Sequence, residues 1–265
     1  MRSTSTSGKG LKDDVTVSAP VIDKSDSGGF DHIVKRFKIT AEVTVSKIFP
    51  AGFGWQTFAT GATHLGYTAS DAGFFLMTGV GDAFGVALGH ILFYSVKKYI
   101  TKNPDIDLGK ESQIGVFLGS AALFSGTAWQ PVVNLLQASS ALPFTSVATG
   151  AGVCCGFAFF AGLRLFRMVY SHPSIGLKIE PNNYENLKAD AALSVSIGAA
   201  SGVFVGTDTA YLGGDGNFLR PLVGVEGTDS ALLASTKAGS STALGFAALQ
   251  SAQNIAYTKG KNWTD

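Results

Sequence analysis

Long stretches without charged side chains alternate with short charged stretches along most of this chain. Asp, Glu, Lys and Arg are all absent from residues 113–163, and also from 48–70, 191–207 and 238–258. An α-helix that crosses about 30 Å of hydrocarbon needs roughly 20 mainly apolar residues. The pattern therefore predicts an all-α integral membrane protein.

Six segments meet this length requirement, and we predict a transmembrane helix for each. They are spans 1 to 6, at about 47–67, 73–96, 114–136, 144–166, 190–212 and 233–256. Spans 1, 5 and 6 are rich in Gly, Ala, Ser and Thr, which are common in membrane helices because they let helices approach closely. The rest of the predicted organisation is a disordered Ser/Thr-rich tail over 1–30, an amphipathic juxtamembrane segment over 31–46 and a C-terminal tail over 257–265.

The basic residues support this arrangement independently, since they were not used to choose the spans. All of the 20 Lys and Arg residues except Arg220 and Lys237 fall on one side of a six-span arrangement. Short loops on the cytoplasmic side of membrane proteins carry such an excess of Lys and Arg. We therefore expect both termini on the Lys/Arg-rich side of a membrane, whose identity the sequence leaves open, an organellar membrane included.

The glycines of span 2 follow a helical spacing. In residues 78–90, TGVGDAFGVALGH, the residues Gly81, Gly85 and Gly89 recur at every fourth position and would form one ridge on a helix. Such ridges of small residues pack helices together in membranes. A dinucleotide-binding loop with similar glycines needs a preceding strand and a following amphipathic helix, and neither pattern is present.

A related pattern recurs in the even-numbered spans. The segments GVGDAFGVA (79–87), GAGVCCGFA (150–158) and GSSTALGFA (239–247) share the pattern Gly, any residue, a small residue, three variable positions, Gly, Val or Phe, and Ala. We interpret this as three related helical hairpins, at about 47–96, 114–166 and 190–256. The glycines to which we assign a helix-packing role are Gly79, Gly81, Gly85, Gly89, Gly150, Gly152, Gly156, Gly239 and Gly245.

Asp82 is the one residue of the first segment that calls for a functional explanation. Val153 and Thr242 occupy its place in the other two segments, and a carboxylate within a span is costly and commonly functional. Depth along the helices places Asp82 and Gln56 near the middle of the membrane, where they would meet as pathway-lining groups. The alternative is an interhelical hydrogen bond. The other candidates for pathway-lining or buried polar side chains are His64, His90, Gln130, Gln250 and Asn254.

Three further features have structural interpretations. Asp208 and Lys237 lie near the same ends of spans 5 and 6 and would form an ion pair within the third hairpin. The loop over 213–229 contains Gly-Gly-Asp-Gly-Asn and is a candidate lid or docking loop. Cys154 and Cys155 are adjacent in span 4, so we interpret them as packing residues rather than as a disulfide or metal site.

Two functions follow from these features. Gly-x-Ser-x-Gly, His-Glu-x-x-His, Cys-x-x-Cys and Walker motifs are absent from the sequence, so we expect no enzyme, no catalytic residues, no metal and no cofactor. A net charge of +1 argues against a nucleic-acid partner. The first hypothesis is a small-solute or ion pathway in the lipid bilayer. The alternative is a non-catalytic scaffold that packs against other membrane subunits or further copies of the chain.

The membrane prediction has a direct test. Alkaline carbonate releases peripheral proteins from membranes but leaves spanning helices in the bilayer. We expect the full chain to remain in the membrane pellet when the extract is analysed by immunoblotting. Recovery of the chain in the soluble fraction would show that the prediction is wrong.

Overall fold

The structure is a computed structural model that describes residues 29–139, 144–175, 177, 179–207 and 224–261. Its elements are α1 (Gly29–Val43), a π-helical turn (Thr44–Ile48), α2 (Phe49–His64), α3 (Ala72–Thr101), α4 (Leu108–Ser139), α5 (Phe144–Tyr170), α6 (Tyr184–Thr207) and α7 (Ala231–Lys261). Among the described residues there is no β-strand, which confirms the predicted all-α class.

Three of these helices have the length and hydropathy to cross a membrane. They are Ala72–Thr101, Leu108–Ala138 and Ser146–Tyr170, within α3, α4 and α5. Helix α2, with the sequence FPAGFGWQTFATGATH, is shorter and contains many small or hydroxyl-bearing residues. Gly, Ala, Ser and Thr are also frequent in α6 and α7.

The helices α2 to α7 close into a ring. Each helix from α2 to α6 packs against the next one, and α7 packs against both α6 and α2. The connections 65–71 and 102–107 are short, so consecutive helices run in opposite directions. One end of the ring, where α3 and α5 finish and α4 and α6 begin, carries most of the described Lys and Arg residues and is called the basic end below. The other end is called the opposite end.

Large apolar side chains cover the outside of the ring. On α3 the residues Leu76, Phe84, Leu88, Leu92 and Val96 are all more than half exposed. Their spacing of four or eight residues places them on one stripe of the helix. An exposed apolar stripe of this length is typical of a surface that contacts lipid or another protein rather than water.

Glycines allow α3 to touch α2 along its length. A Cβ atom on Gly81 would overlap the carbonyl oxygen of Gly54, and one on Gly85 would overlap the carbonyl oxygen of Pro50. At Gly89 it would lie 2.9 Å from the carbonyl oxygen of Ser46. The glycine ridge of span 2 therefore faces α2 within the same chain.

Other interfaces of the ring use the same type of contact. Gly152 and Gly156 of α5 pack against the backbone of Gly198 and Gly202 of α6. A Cβ atom on Gly239 of α7 would lie 2.8 Å from the carbonyl oxygen of Phe49. Of the remaining glycines with a predicted packing role, Gly79 contacts α4 at Thr127, Gly150 contacts Leu136, and Gly245 is buried.

The three repeated segments do not occupy equivalent positions in the ring, because their matching residues contact different neighbours. Gly81 faces the preceding helix of the ring, whereas Gly152, at the matching position, faces the following one. Asp82 and Thr242 lie inside the ring, but Val153 is 45% exposed. The shared glycines thus mark close packing on different sides of their helices.

Charged side chains cross-link the helices at the basic end. The Arg167 side chain is fully buried, and it donates hydrogen bonds of 2.8 Å from Nε and Nη2 to the two carboxylate oxygens of Asp190 on α6. His90 of α3, 2% exposed, lies 2.8 Å from Glu111 of α4. A buried ion pair such as that of Arg167 with Asp190 is strongly destabilising to break, because the remaining charge loses its partner.

Helix α1 is also attached at this end. Glu42 accepts hydrogen bonds from Tyr94 and from Lys97 of α3, the latter at 2.8 Å. Burial alone would raise the pKa of Glu42, but these hydrogen bonds outweigh it and hold the pKa below its ordinary value. Asn254 of α7 donates to Thr40 at 3.3 Å, so α1 is held against both α3 and α7.

The glycine contacts can be tested with one matched pair of variants. Gly85→Ala introduces a methyl group against the Pro50 carbonyl, whereas the methyl group of Gly61→Ala meets only Met77 Cε, at 3.9 Å. We expect Gly85→Ala to destabilise the protein by about 1–3 kcal/mol, the usual cost of overpacking. Gly61→Ala should be neutral or slightly stabilising. Thermal unfolding in detergent measures both, and equal midpoints for the two variants would contradict the close α2–α3 contact.

Candidate functional site

The interior of the ring contains a cavity of about 350 Å³ to which all six ring helices contribute. A short segment before α7 also lines it. The lining residues include Ile48 of the π-helical turn, Ala51, Gly52, Trp55 and Gln56 of α2, Asp82 of α3, Ser125, Gly126 and Trp129 of α4, Cys155 of α5, Ile197 and Gly198 of α6, Gly224 and Val225, and Ala238, Ser241 and Thr242 of α7.

The cavity lies near the middle of the ring along its axis. Gln56, Asp82, Cys155 and Ser241 are each about 8 to 11 residues from the opposite end of their helices. At 1.5 Å per residue this corresponds to a depth of roughly 12–17 Å. The cavity is therefore at a depth that corresponds to the centre of a bilayer about 30 Å thick.

Asp82 supplies the only carboxylate among the described lining residues. The Ser125 hydroxyl donates a hydrogen bond to it at 3.0 Å, and within the described part of the chain no Lys, Arg or His side chain is paired with it. Gly126 allows α4 to lie close to α3 at this point, because a Cβ atom on Gly126 would lie 2.6 Å from the Asp82 Cβ. A carboxylate without a counter-charge is thus held at the cavity wall.

Two tryptophans form part of the wall beside this carboxylate. Trp55 Nε1 donates a hydrogen bond to the carbonyl oxygen of Gly126 at 3.3 Å. This bond fixes the indole beside the part of α4 that contacts Asp82. Its ring also makes an edge contact with Phe74, with centroids 6.4 Å apart. Trp129 follows Ser125 by one helical turn and packs against Val133 and Val147. It therefore lies about 6 Å nearer the opposite end than Ser125.

Apolar packing closes the cavity toward the basic end. Ile48, from the π-helical turn, packs with Phe246 of α7, and both are 4% exposed. Ile197 of α6 packs against this pair. Further toward the basic end the ring is filled by the buried side chains of Phe117 and Leu163. These side chains form an apolar boundary on the side of the cavity toward the basic end.

The segment before α7 is fixed near the cavity by an ion pair. Lys237 Nζ lies 2.9 Å from both carboxylate oxygens of Asp229. Asp229 in turn accepts a hydrogen bond from the amide of Glu226 at 2.8 Å. This turn ends the segment that brings Gly224 and Val225 to the cavity wall.

The structure brings two of the sequence-predicted polar residues to the cavity. Asp82 and Gln56 both line it, but their side chains are not hydrogen-bonded to each other. Gln56 donates to Thr60 at 3.4 Å, and Asp82 accepts from Ser125. The two residues therefore line the same cavity, but the direct interaction predicted from their similar depth in the membrane is not formed as a hydrogen bond.

The other sequence-predicted residues lie elsewhere. His64 is exposed at the end of α2. His90 is buried at the basic end beside Glu111. Gln130 donates to Asn134 of the same helix at 2.9 Å, and Gln250 is half-buried on α7.

Two more residues complete this set. Asn254 is buried against α1, where it donates to Thr40 at 3.3 Å. Asp208 lies outside the described residues, and the partner that the structure gives Lys237 is Asp229. The candidate lid over 213–229 is described only from Gly224 onward, and this part contacts the cavity.

Sequence reasoning did not single out most of the cavity wall. Ser125, Trp55 and Trp129 are neutral residues in apolar stretches, and such residues have no signal of their own in one sequence. Cys155 lines the cavity whereas its neighbour Cys154 is exposed, and both are free thiols. The available signal was the helical spacing of Ser125 and Trp129, which places both on one face of α4.

Comparisons of this chain with known proteins identify no relative. No protein-family model, no curated protein and no solved structure matches this chain. Among the residues that the structure describes, no group of three His, Cys, Asp or Glu side chains is placed to hold a metal ion. Over its described residues, the chain is an all-helical protein with three helices suited to a membrane and with a central cavity.

The ion pair beside the cavity generates a pH prediction. Hydrogen bonds from Lys237 and from the Glu226 amide hold the pKa of Asp229 below its ordinary value. A lowered pKa means that the stabilisation is complete above the ordinary Asp pKa of about 3.9 and is lost as the pH falls through the lower value. We expect hydrogen-exchange protection of the Glu226 and Asp229 amides to be constant near neutral pH and to fall only under strongly acidic conditions.

A variant distinguishes the effect of losing this ion pair from the effect of general unfolding in acid. Lys237→Met should reduce the protection of the same two amides at neutral pH, whereas Lys110→Met, at an exposed position of the basic end, should not. Mass spectrometry after hydrogen exchange measures both variants. Unchanged protection in Lys237→Met would show that the ion pair does not fix the segment.

Proposed function

We propose that this chain spans a membrane with the six ring helices α2 to α7 and forms a pathway for a small solute or ion. The observation that supports it best is the mid-depth cavity, lined by all six helices and containing one carboxylate. Intramembrane carboxylates commonly mark substrate or ion pathways, because their cost is otherwise hard to offset. Transporters also place their binding sites near the membrane midplane.

The distribution of polar and apolar surfaces supports the six-span arrangement. Exposed leucines also occur on α6, at Leu187, and on α7, at Leu232 and Leu244. Polar side chains such as Gln56 and Thr242 instead face the cavity. A ring with apolar exterior and polar interior satisfies its polar groups away from lipid, as a spanning structure requires.

The state of the two ends suggests a direction of access. Ile48, Ile197 and Phe246 close the cavity toward the basic end. On the opposite side, the described boundary includes Gly224 and Val225, which belong to no helix. We propose that this conformation receives its solute from the opposite end. Access from the basic end would require the side chains of Ile48, Ile197 and Phe246 to move apart.

The scaffold alternative has less support from the glycines than the sequence indicated. Gly81, Gly85 and Gly89 contact α2, and Gly152 and Gly156 contact α6, so these ridges are occupied by packing within the chain. They are not available as docking surfaces for other subunits. We accordingly propose a transport role and no catalytic one.

Reconstitution tests the pathway. Wild-type protein, Asp82→Asn and Asp105→Asn are incorporated in matched liposomes, and flux is driven by a pH gradient or a diffusion potential. Asp82→Asn preserves the side-chain shape, and Asp105 is an exposed carboxylate at the basic end that serves as the control. We expect flux with wild type and Asp105→Asn, and a decrease of roughly tenfold or more with Asp82→Asn, which corresponds to about 1.4 kcal/mol.

The result can also reject the proposal. If none of the three proteins conducts ions or small solutes above empty liposomes, the pathway hypothesis fails. Native electrophoresis after extraction in mild detergent then tests the alternative, since a scaffold should migrate as a large complex with other subunits. Equal flux in all three proteins would keep the pathway but remove Asp82 from it.

A further inference from the structure

We infer that the central cavity binds a small organic cation, with its ammonium group at Asp82 and its apolar groups against Trp55 and Trp129. This inference deepens the proposed function and rests on it for the role of the bound molecule. Binding itself is measured separately from transport.

The charge of the cavity selects a cation. Asp82 is the only ionisable side chain apart from Cys155 among the described residues that line it, and no described basic side chain is paired with it. Its one described hydrogen bond, from Ser125 at 3.0 Å, leaves room for further donors on the carboxylate oxygens. A cationic ligand would supply the missing counter-charge and offset the cost of a carboxylate at this depth.

The aromatic residues select an organic cation. Tryptophan is the aromatic side chain that attracts cations best, and alkylammonium groups are recognised by aromatic walls. Trp55 is held beside Gly126, which itself contacts Asp82, so an aromatic ring and the carboxylate lie in the same part of the cavity. Trp129 extends the aromatic wall toward the opposite end, from which the solute would enter.

Size and ligand chemistry argue against a bare metal cation. Ca²⁺ binds six to eight oxygen ligands, and Mg²⁺ requires near-ideal octahedral oxygen geometry. Here the described lining offers one carboxylate and the neutral polar side chains of Gln56, Ser125, Ser241 and Thr242, and the rest of it is apolar or aromatic or is glycine, so the charged oxygen ligands of a divalent metal site are too few. The volume of about 350 Å³ lies at the lower end of small-molecule sites, which span roughly 300–1,000 Å³. A molecule with a few carbon atoms around an ammonium group fits both requirements.

Equilibrium binding to the purified full chain in detergent tests the inference. The probe is choline, and its uncharged carbon isostere dimethylbutanol is the matched ligand control. We expect choline to quench or shift the tryptophan fluorescence saturably and to give a heat of binding in calorimetry. Dimethylbutanol should bind at least about tenfold more weakly, because it lacks the charge that Asp82 recognises. Equal binding of the two probes, or binding of neither, would overturn the inference.

Variants locate the site within the protein. Asp82→Asn should weaken choline binding by roughly 30-fold or more, as expected when one partner of a desolvated charge pair is neutralised. Trp129→Leu should weaken it by about threefold to tenfold while leaving the preference for choline over dimethylbutanol intact. Asp105→Asn, at the exposed basic end, is the matched control and should bind like wild type. Choline affinity that is unchanged in Asp82→Asn would overturn the inference.

The ligand comparison keeps the test valid even if a variant folds poorly, because wild-type protein alone distinguishes the two probes. Flux measurements then separate the two proposals. Choline binding without flux of any solute would leave the cation site standing and reject the pathway. Proton or inorganic ion flux with no choline binding would support the pathway and overturn the cation site.

Discussion

Direct contact between helix backbones, permitted by glycine, determines where the ring helices lie. Helices in lipid gain little from hydrophobic burial against each other, so close van der Waals packing must hold them. Gly81 against Gly54 and Gly152 against Gly202 bring the backbones of α2 and α3, and of α5 and α6, so close that a Cβ atom would not fit between them. Asp82 can reach Ser125 only because Gly126 permits the same approach between α3 and α4. The geometry of the cavity wall thus depends on residues that have no side chain.

The sequence predicted the parts of this structure that follow from one helix at a time. Runs of roughly 20 mainly apolar residues located α3, α4 and α5, and spacing placed Gly81 on a packing ridge. Asp82 was identifiable because a carboxylate is rare and costly in an apolar stretch. Its partner Ser125 was not identifiable, since serine occurs throughout such stretches. The position of a residue along its helix was compared only between the two helices of one predicted hairpin, and Ser125 lies in the next hairpin. Likewise, the path of a connecting segment, and therefore the contact between Asp229 and Lys237, depends on the folded ring.

The two ends of the ring are held by different kinds of interaction. At the basic end, ion pairs or polar contacts link α3 to α4 through His90, and α5 to α6 through Arg167. At the opposite end, the described ion pair is the one between Asp229 and Lys237, which joins a connecting segment to its own following helix. Separating helices at the basic end must therefore break interhelical charge contacts, whereas the described pair at the opposite end does not link ring helices.

A single carboxylate in the cavity also has an electrical consequence. With Asp82 ionised, the described wall of the empty cavity carries one negative charge, and a monovalent cation bound there makes it neutral. Moving one elementary charge through a membrane potential involves about 2.3 kcal/mol per 100 mV. A potential would then act on the empty cavity and leave the occupied one nearly unaffected. In a transport cycle built on this site, the return of the empty protein would be the voltage-dependent half.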